Sequence, residues 1–204
     1  MAWNETRLIL ASASPRRREL LGRFGIAFEV IPAVGEETAP QGLPPGELVR
    51  RLSEAKAAEV CARVNDPAAV IIAADTVVEL HGTILGKPAT PERAREMLAA
   101  LSGNIHRVWS GVTVRRGDEL ASASECTSVH FRPLSDGEIE AYVSTGEPLD
   151  KAGAYGYQGL ASLFVERIEG DYFNVVGLPL CRLGELLKRF DMELLNKDGK
   201  AKRE

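Results

Sequence analysis

The sequence predicts a mixed α/β fold, and three observations carry that prediction. Short apolar runs alternate with helical segments through the first half of the chain. One run, VIIAA at 70–74, is apolar throughout, as expected of a strand buried on both faces. Further on, 106–114 and 122–131 read as long strands either side of a polar turn at 115–119, which makes them an antiparallel pair.

In chain order, RLILA at 7–11 is a short strand that leads into a helix over 14–24. Ser14 is a good N-cap there, Pro15 suits the first helical position, and Leu20, Leu21 and Phe24 form the apolar face. A second strand is expected at 28–31. The Pro/Gly-rich stretch 34–47 reads as a long loop of the kind that is often functional. A helix follows from 47 to about 64, with Leu48, Leu52 and Ala55 on one side. After VIIAA, which is expected to end at Asp75, a helix over 91–101 is opened by Thr90 and Pro91.

Beyond the strand pair, Ser135-Asp-Gly-Glu138 fits a capping box for a helix over 135–143. Segments 162–168 and 172–176 flank Glu169-Gly170-Asp171 and suggest a hairpin. The last helix is expected over 179–195. No linker divides the chain, so 1–195 reads as one domain and 196–204 as a charged, disordered tail.

Composition narrows the functional classes. The 204 residues are 45% hydrophobic and 26% charged, with a formal net charge of -4. That balance argues against binding a nucleic-acid polymer through bulk charge, so an anionic ligand must meet a local basic cluster. Cys61, Cys126 and Cys181 are odd in number and far apart, which suits neither a disulfide framework nor a thiolate metal site. No apolar run is long enough for a signal peptide or a membrane span, and the expected location is the cytoplasm.

Several residues invite a chemical reading. Arg16, Arg17 and Arg18 stand at a helix N-terminus, where the helix dipole repels cations. At about 100° per residue, Arg17 lies near the centre of the apolar face and Arg18 points towards solvent. A phosphate at that terminus would reconcile the charges; a solvated basic turn countered by Glu19 is the plain alternative. Asp75, directly after a buried run, needs a cation, a metal or several donors. It could instead cap the following turn with Thr76.

Glu36 and Glu37, with Asp75, would suit Mg²⁺ or Mn²⁺, although acids in such loops are commonly just solvated. Lys56 sits at the edge of a helix face, where snorkelling is the usual explanation. GTILGKP is one residue short of a Walker A motif, and Pro88 replaces its hydroxyl residue. That leaves Lys87 on a turn that could face a cleft. DKAGAYGYQG at 150–159 is flexible enough for close approach to a ligand, and Gln158 could pair with a base edge. An irregular loop is the simpler reading. HExxH, GxSxG and GxGxxG are absent.

Together ASASPRRRELL, AADTVV, LGKP, HRVWSGV, GEPLDKAGAYGYQG and FNVVGLPL resemble the Maf family of nucleotide pyrophosphatases, in the family's order, from about 8 to 190. DKAGAYGYQG is similar to the branch acting on dTTP and UTP and unlike the branch acting on 7-methyl-GTP. The resemblance implies hydrolysis of a nucleoside triphosphate between its α and β phosphates, giving a monophosphate and pyrophosphate. It also implies a fold similar to inosine triphosphate pyrophosphatases, a mixed twisted sheet with flanking helices and two lobes around a central cleft. A homodimer is implied as well.

By the same resemblance, Asp75 is the catalytic residue, as proton acceptor or metal-organising acid. Arg16, Thr76 and Gln158 are tied to substrate choice, and Ser12, Arg17, Lys56 and Lys87 to the phosphates. Glu37, with Glu36, assists a divalent cation. Tyr157 and Ser110 stand where the family pattern has a small aliphatic residue and Thr. Two other readings remain: a pyrophosphatase for modified nucleotides, or a nucleotide-binding regulator of septum formation.

Overall fold

The computed structural model describes residues 6–35 and 42–195. Its strands form a seven-stranded mixed sheet with flanking helices. In chain order the strands and helices are β1 (Leu8–Leu10), α1 (Pro15–Gly22), β2 (Glu29–Val30), α2 (Pro45–Val64), β3 (Val70–Leu80), β4 (Thr83–Leu85) and α3 (Pro91–Leu101). Then come β5 (Ile105–Arg116), β6 (Glu119–Phe131), α4 (Asp136–Ser144), β7 (Val165–Glu169), α5 (Tyr172–Val176) and α6 (Leu180–Lys188). The sheet order is β2-β1-β3-β5-β6-β7, with β4 pairing antiparallel to β3. β1 runs parallel to both β2 and β3, and β7 runs antiparallel to β6.

The chain forms two compact units: residues up to Asp75 with 110–125 and 177 onward make the first, and 76–109 with 126–176 the second. In the first unit, α2 lays Ala57 and Val60 over Ile9, Ala11, Ile71 and Ala73. Alternate residues of β1 and β3 thus share one face, as the two-residue period of a strand requires. Each fully buried Ile contributes about 2 kcal/mol of burial free energy. Gly111 on β5 makes this arrangement possible, because a Cβ there would lie 2.1 Å from the Val49 carbonyl oxygen of α2. Beside that contact, the Ser53 and Thr113 hydroxyls share a buried 2.7 Å hydrogen bond.

In the second unit, Ala94, Met97, Leu98 and Leu101 of α3 form the core with Val108, Val129 and Phe131, and with Ile139, Tyr142 and Val143 of α4. The Ser135 capping box is present: its hydroxyl accepts from the Glu138 N–H, and the Glu138 carboxylate accepts from the Ser135 N–H at 2.9 Å.

Three sequence expectations are corrected here. β3 does not end at Asp75 but continues through Leu80, because Thr76, Val77 and Val78 are β-branched, 77–80 are buried and 78–80 pair with β4. Segment 172–176 is not a strand. The Asp171 carboxylate accepts from the Phe173 N–H at 2.8 Å and turns the chain into α5, while β7 finds its partner in β6. The last helix stops at Lys188 rather than 195, and Asp191 shortly beyond has a left-handed φ of 58°. Residues 196–204 lie outside the described residues. No described helix is long and apolar enough to cross a membrane.

Candidate active site

In the first unit, four of the sequence-predicted residues converge. The Ser14 side chain caps α1 by accepting from the Arg17 N–H. Ser12, buried just before it, accepts from the Ser14 N–H at 3.2 Å and from Arg17 Nη1 at 3.3 Å. Arg17 also donates from Nη1 to the Ala74 carbonyl and from Nε to the Gly177 carbonyl, both at 2.8 Å. One guanidinium thus ties the start of α1 to β3 and to the segment that precedes α6.

Asp75 is the residue after Ala74, and its side chain is 9% exposed. The Lys56 ammonium of α2 donates to its Oδ1. This meets the requirement that a carboxylate so placed have a cation. Snorkelling explains only the stem of Lys56; its head is committed to Asp75. Arg16 is half-exposed, and Arg18 is exposed, as its helical angle predicts.

The remaining predicted residues belong to the second unit. Thr76 follows Asp75 along β3 and is partly buried. Lys87 and Gln158 are both exposed, on separate loops. These loops are joined where the Gly153 N–H donates to the Gly86 carbonyl at 3.1 Å. Glu36 and Glu37 lie outside the described residues.

Sequence reasoning missed two participants. The Gly177 carbonyl carries no sequence signal as an acceptor for a distant arginine. Glu147, in a single 3-10 turn over Glu147–Asp150, is the other. Its Oε1 would lie 2.2 Å from a Cβ at Gly159, so a side chain there would displace the Glu147 carboxylate. The glycines of DKAGAYGYQG read in the sequence as room for a ligand; at Gly159 the room is already taken.

A divalent cation can be tested against these residues. Among the described residues no group of three or more His, Cys, Asp or Glu side chains converges. The site offers, among the described residues, one carboxylate, Asp75, beside several donors suited to anions. That suits Mg²⁺ or Mn²⁺ held by a carboxylate, waters and substrate phosphates rather than by a protein cage.

Comparison with known proteins identifies the family. The family model described as Maf-like protein matches residues 7–190. A dTTP/UTP pyrophosphatase of Moorella thermoacetica is 51% identical over 93% of this chain and 97% of its own length. The proteins of the same name from Pelotomaculum thermopropionicum and Symbiobacterium thermophilum are 48% and 51% identical, covering 92% and 90% of this chain and 98% and 93% of theirs. Among solved structures, the Staphylococcus aureus Ham1 protein aligns over 62% of this chain and 72% of its own, with 15% identity and a TM-score of 0.44.

Proposed function

The chain belongs to the Maf family, and from that premise we propose that it is a nucleoside triphosphate pyrophosphatase acting on dTTP and UTP. The products are the nucleoside monophosphate and pyrophosphate. The observation that carries this reading is the Lys56–Asp75 pair beside the Arg17-braced start of α1. Near-full-length relatives named dTTP/UTP pyrophosphatase support the choice of substrate. The family match over 7–190 supports reading 1–195 as one functional domain.

Hydrolysis of the α–β anhydride needs the phosphate charge neutralised and a water deprotonated as it attacks phosphorus. In this reading Asp75 accepts that proton; the Lys56 ammonium, which donates to its Oδ1, supports the role by holding the carboxylate. On the same reading Ser12 and Arg17 address phosphate oxygens, and Arg16 flanks them. Lys87 adds charge from its loop. Thr76 and Gln158 contribute to substrate choice, Gln158 by giving and taking hydrogen bonds on the uracil or thymine edge. A divalent cation held through Asp75, with Glu37 and Glu36 assisting, would supply charge neutralisation on the triphosphate. We assign the protein to the cytoplasm and expect a homodimer, which sedimentation can check.

The deciding experiment is a panel of canonical and modified triphosphates, assayed for pyrophosphate and monophosphate with and without chelator. The expected result is fastest release from dTTP and UTP, lost with chelator. Preference for a methylated purine would overturn the pyrimidine assignment. UTP binding without release of pyrophosphate would favour a regulatory binding protein.

A further inference from the structure

Gln158 sits in a short turn that is clamped at both ends by one carboxylate. The Gly159 N–H donates to the Gly156 carbonyl at 3.0 Å, closing a four-residue turn with Gln158 in its second half. At the near end, the Gly156 N–H donates to the Tyr142 hydroxyl at 3.1 Å. That hydroxyl in turn donates to Glu147 Oε1 at 3.0 Å. At the far end, the Leu160 N–H donates to Glu147 Oε2 at 3.2 Å.

Both anchors are themselves fixed. Tyr142 is buried in the core of the second unit, with its ring edge-on to Phe164 at 5.1 Å. The Glu147 backbone is held by the Lys151 ammonium, which donates to its carbonyl at 2.7 Å. Gly156 and Gly159 fit this clamp for the same reason: a Cβ at either would meet Lys151 or Glu147 atoms within 3 Å. Gln158 itself is left exposed at the crest of the turn.

We propose that Glu147, acting with Tyr142, is a positioning residue for base selection: it fixes the backbone on which Gln158 meets the pyrimidine edge. This rests on the reading that Gln158 contacts the base. An exposed amide on an unheld loop pays the ordering entropy at each binding event, whereas a clamped turn has paid it on folding. Uracil presents acceptor, donor, acceptor along its edge, and cytosine presents a different order. A backbone held in place limits the positions from which the Gln158 amide reaches that edge, and so favours one order of donors and acceptors over the other.

The test uses Tyr142→Phe, Glu147→Gln, their double variant and Gln158→Ala in the full chain. For each, kcat/KM is measured with UTP and CTP, and UMP and CMP binding by calorimetry gives the same ratio without turnover. The expected result is a fall of about tenfold in the UTP preference in each clamp variant, mostly through KM. The double variant should lose no more than the sum of the two single ones, and less than that where the Tyr142 hydroxyl acts through Glu147, while the Leu160 anchor belongs to Glu147 alone. Equal losses on both nucleotides, or an unchanged preference in both clamp variants while Gln158→Ala loses it, would overturn the clamp alone. An unchanged preference in Gln158→Ala would overturn the base-reading assignment, and the clamp's role with it.

Discussion

Arg17 Nη1 donates to the carbonyl of Ala74 at 2.8 Å, so a side chain at the start of α1 holds the peptide that precedes Asp75. The same guanidinium reaches the Gly177 carbonyl through Nε, also at 2.8 Å. A lysine has one ammonium and cannot span both acceptors in this fork. Arg17→Lys is therefore expected to cost about 2 kcal/mol of stability, from hydrogen bonds made by a charged donor. It should also lower kcat/KM, because the Asp75 backbone loses its brace. Urea denaturation and steady-state kinetics check the two parts; unchanged values in both would show that the brace does nothing.

The Lys56–Asp75 pair makes a second expectation. Asp75→Asn should lower kcat by about a thousandfold, the usual scale for losing a general base, while circular dichroism remains that of the folded protein. Lys56→Met leaves a carboxylate whose side chain is 9% exposed without its cation, at a cost of about 3 kcal/mol. The double variant Lys56→Met/Asp75→Asn should be more stable than Lys56→Met alone, since no charge is then stranded. Additive losses would mean that the two groups are not coupled.

What could be read from the sequence follows from how local each signal is. The N-caps at Ser14, Thr90 and Ser135 depend on neighbours three residues away, and all three are present. The need of Asp75 for a cation was legible from VIIAA. The identity of that cation was not, because Lys56 lies on a helix 19 residues away in sequence. The sequence puts the end of β3 at Asp75 because an acid reads as a boundary, yet Lys56 makes Asp75 tolerable in mid-strand. Segment 172–176 misled for a related reason: YFNVV has strand composition, but β6 already has β7 as its neighbour and the Asp171 cap decides the turn.

Gly111 offers a packing test away from the chemistry. Its missing Cβ would lie 2.1 Å from the Val49 carbonyl oxygen and 2.7 Å from the Arg50 nitrogen, both backbone atoms of α2. Backbone cannot yield as the end of a flexible side chain can. Gly111→Ala is therefore expected to push α2 off β5 and to cost about 3 kcal/mol. Because Lys56 rides on α2, the same variant should lose activity at temperatures where it is still folded. A midpoint in urea equal to that of the parent protein would refute the close approach.

His106 gives the molecule a stability that depends on pH. The ring is 1% exposed, shares a 2.8 Å hydrogen bond with the Tyr155 hydroxyl, and lies edge-on to Phe131 and Tyr155. Burial, with a smaller contribution from nearby His130, lowers its pKa from 6.5 to about 3. The folded protein thus keeps this ring neutral where the unfolded chain would protonate it. Between those two values the unfolded state binds the extra proton, so stability is complete above 6.5 and declines as the pH falls towards 3. The slope is about 1.4 kcal/mol per pH unit once the unfolded histidine is protonated. Carboxylates such as Glu138, held at about 2 by Arg132 and the Ser135 N–H, add their own loss only below their ordinary value of 4.5. The range from about 5 to 6.5 therefore separates the His106 contribution from that of the carboxylates. Urea midpoints across that range should fall with pH in the parent protein. They should stay nearly level in His106→Gln, whose amide can still meet the Tyr155 hydroxyl; an equal slope in both would assign the effect to another group.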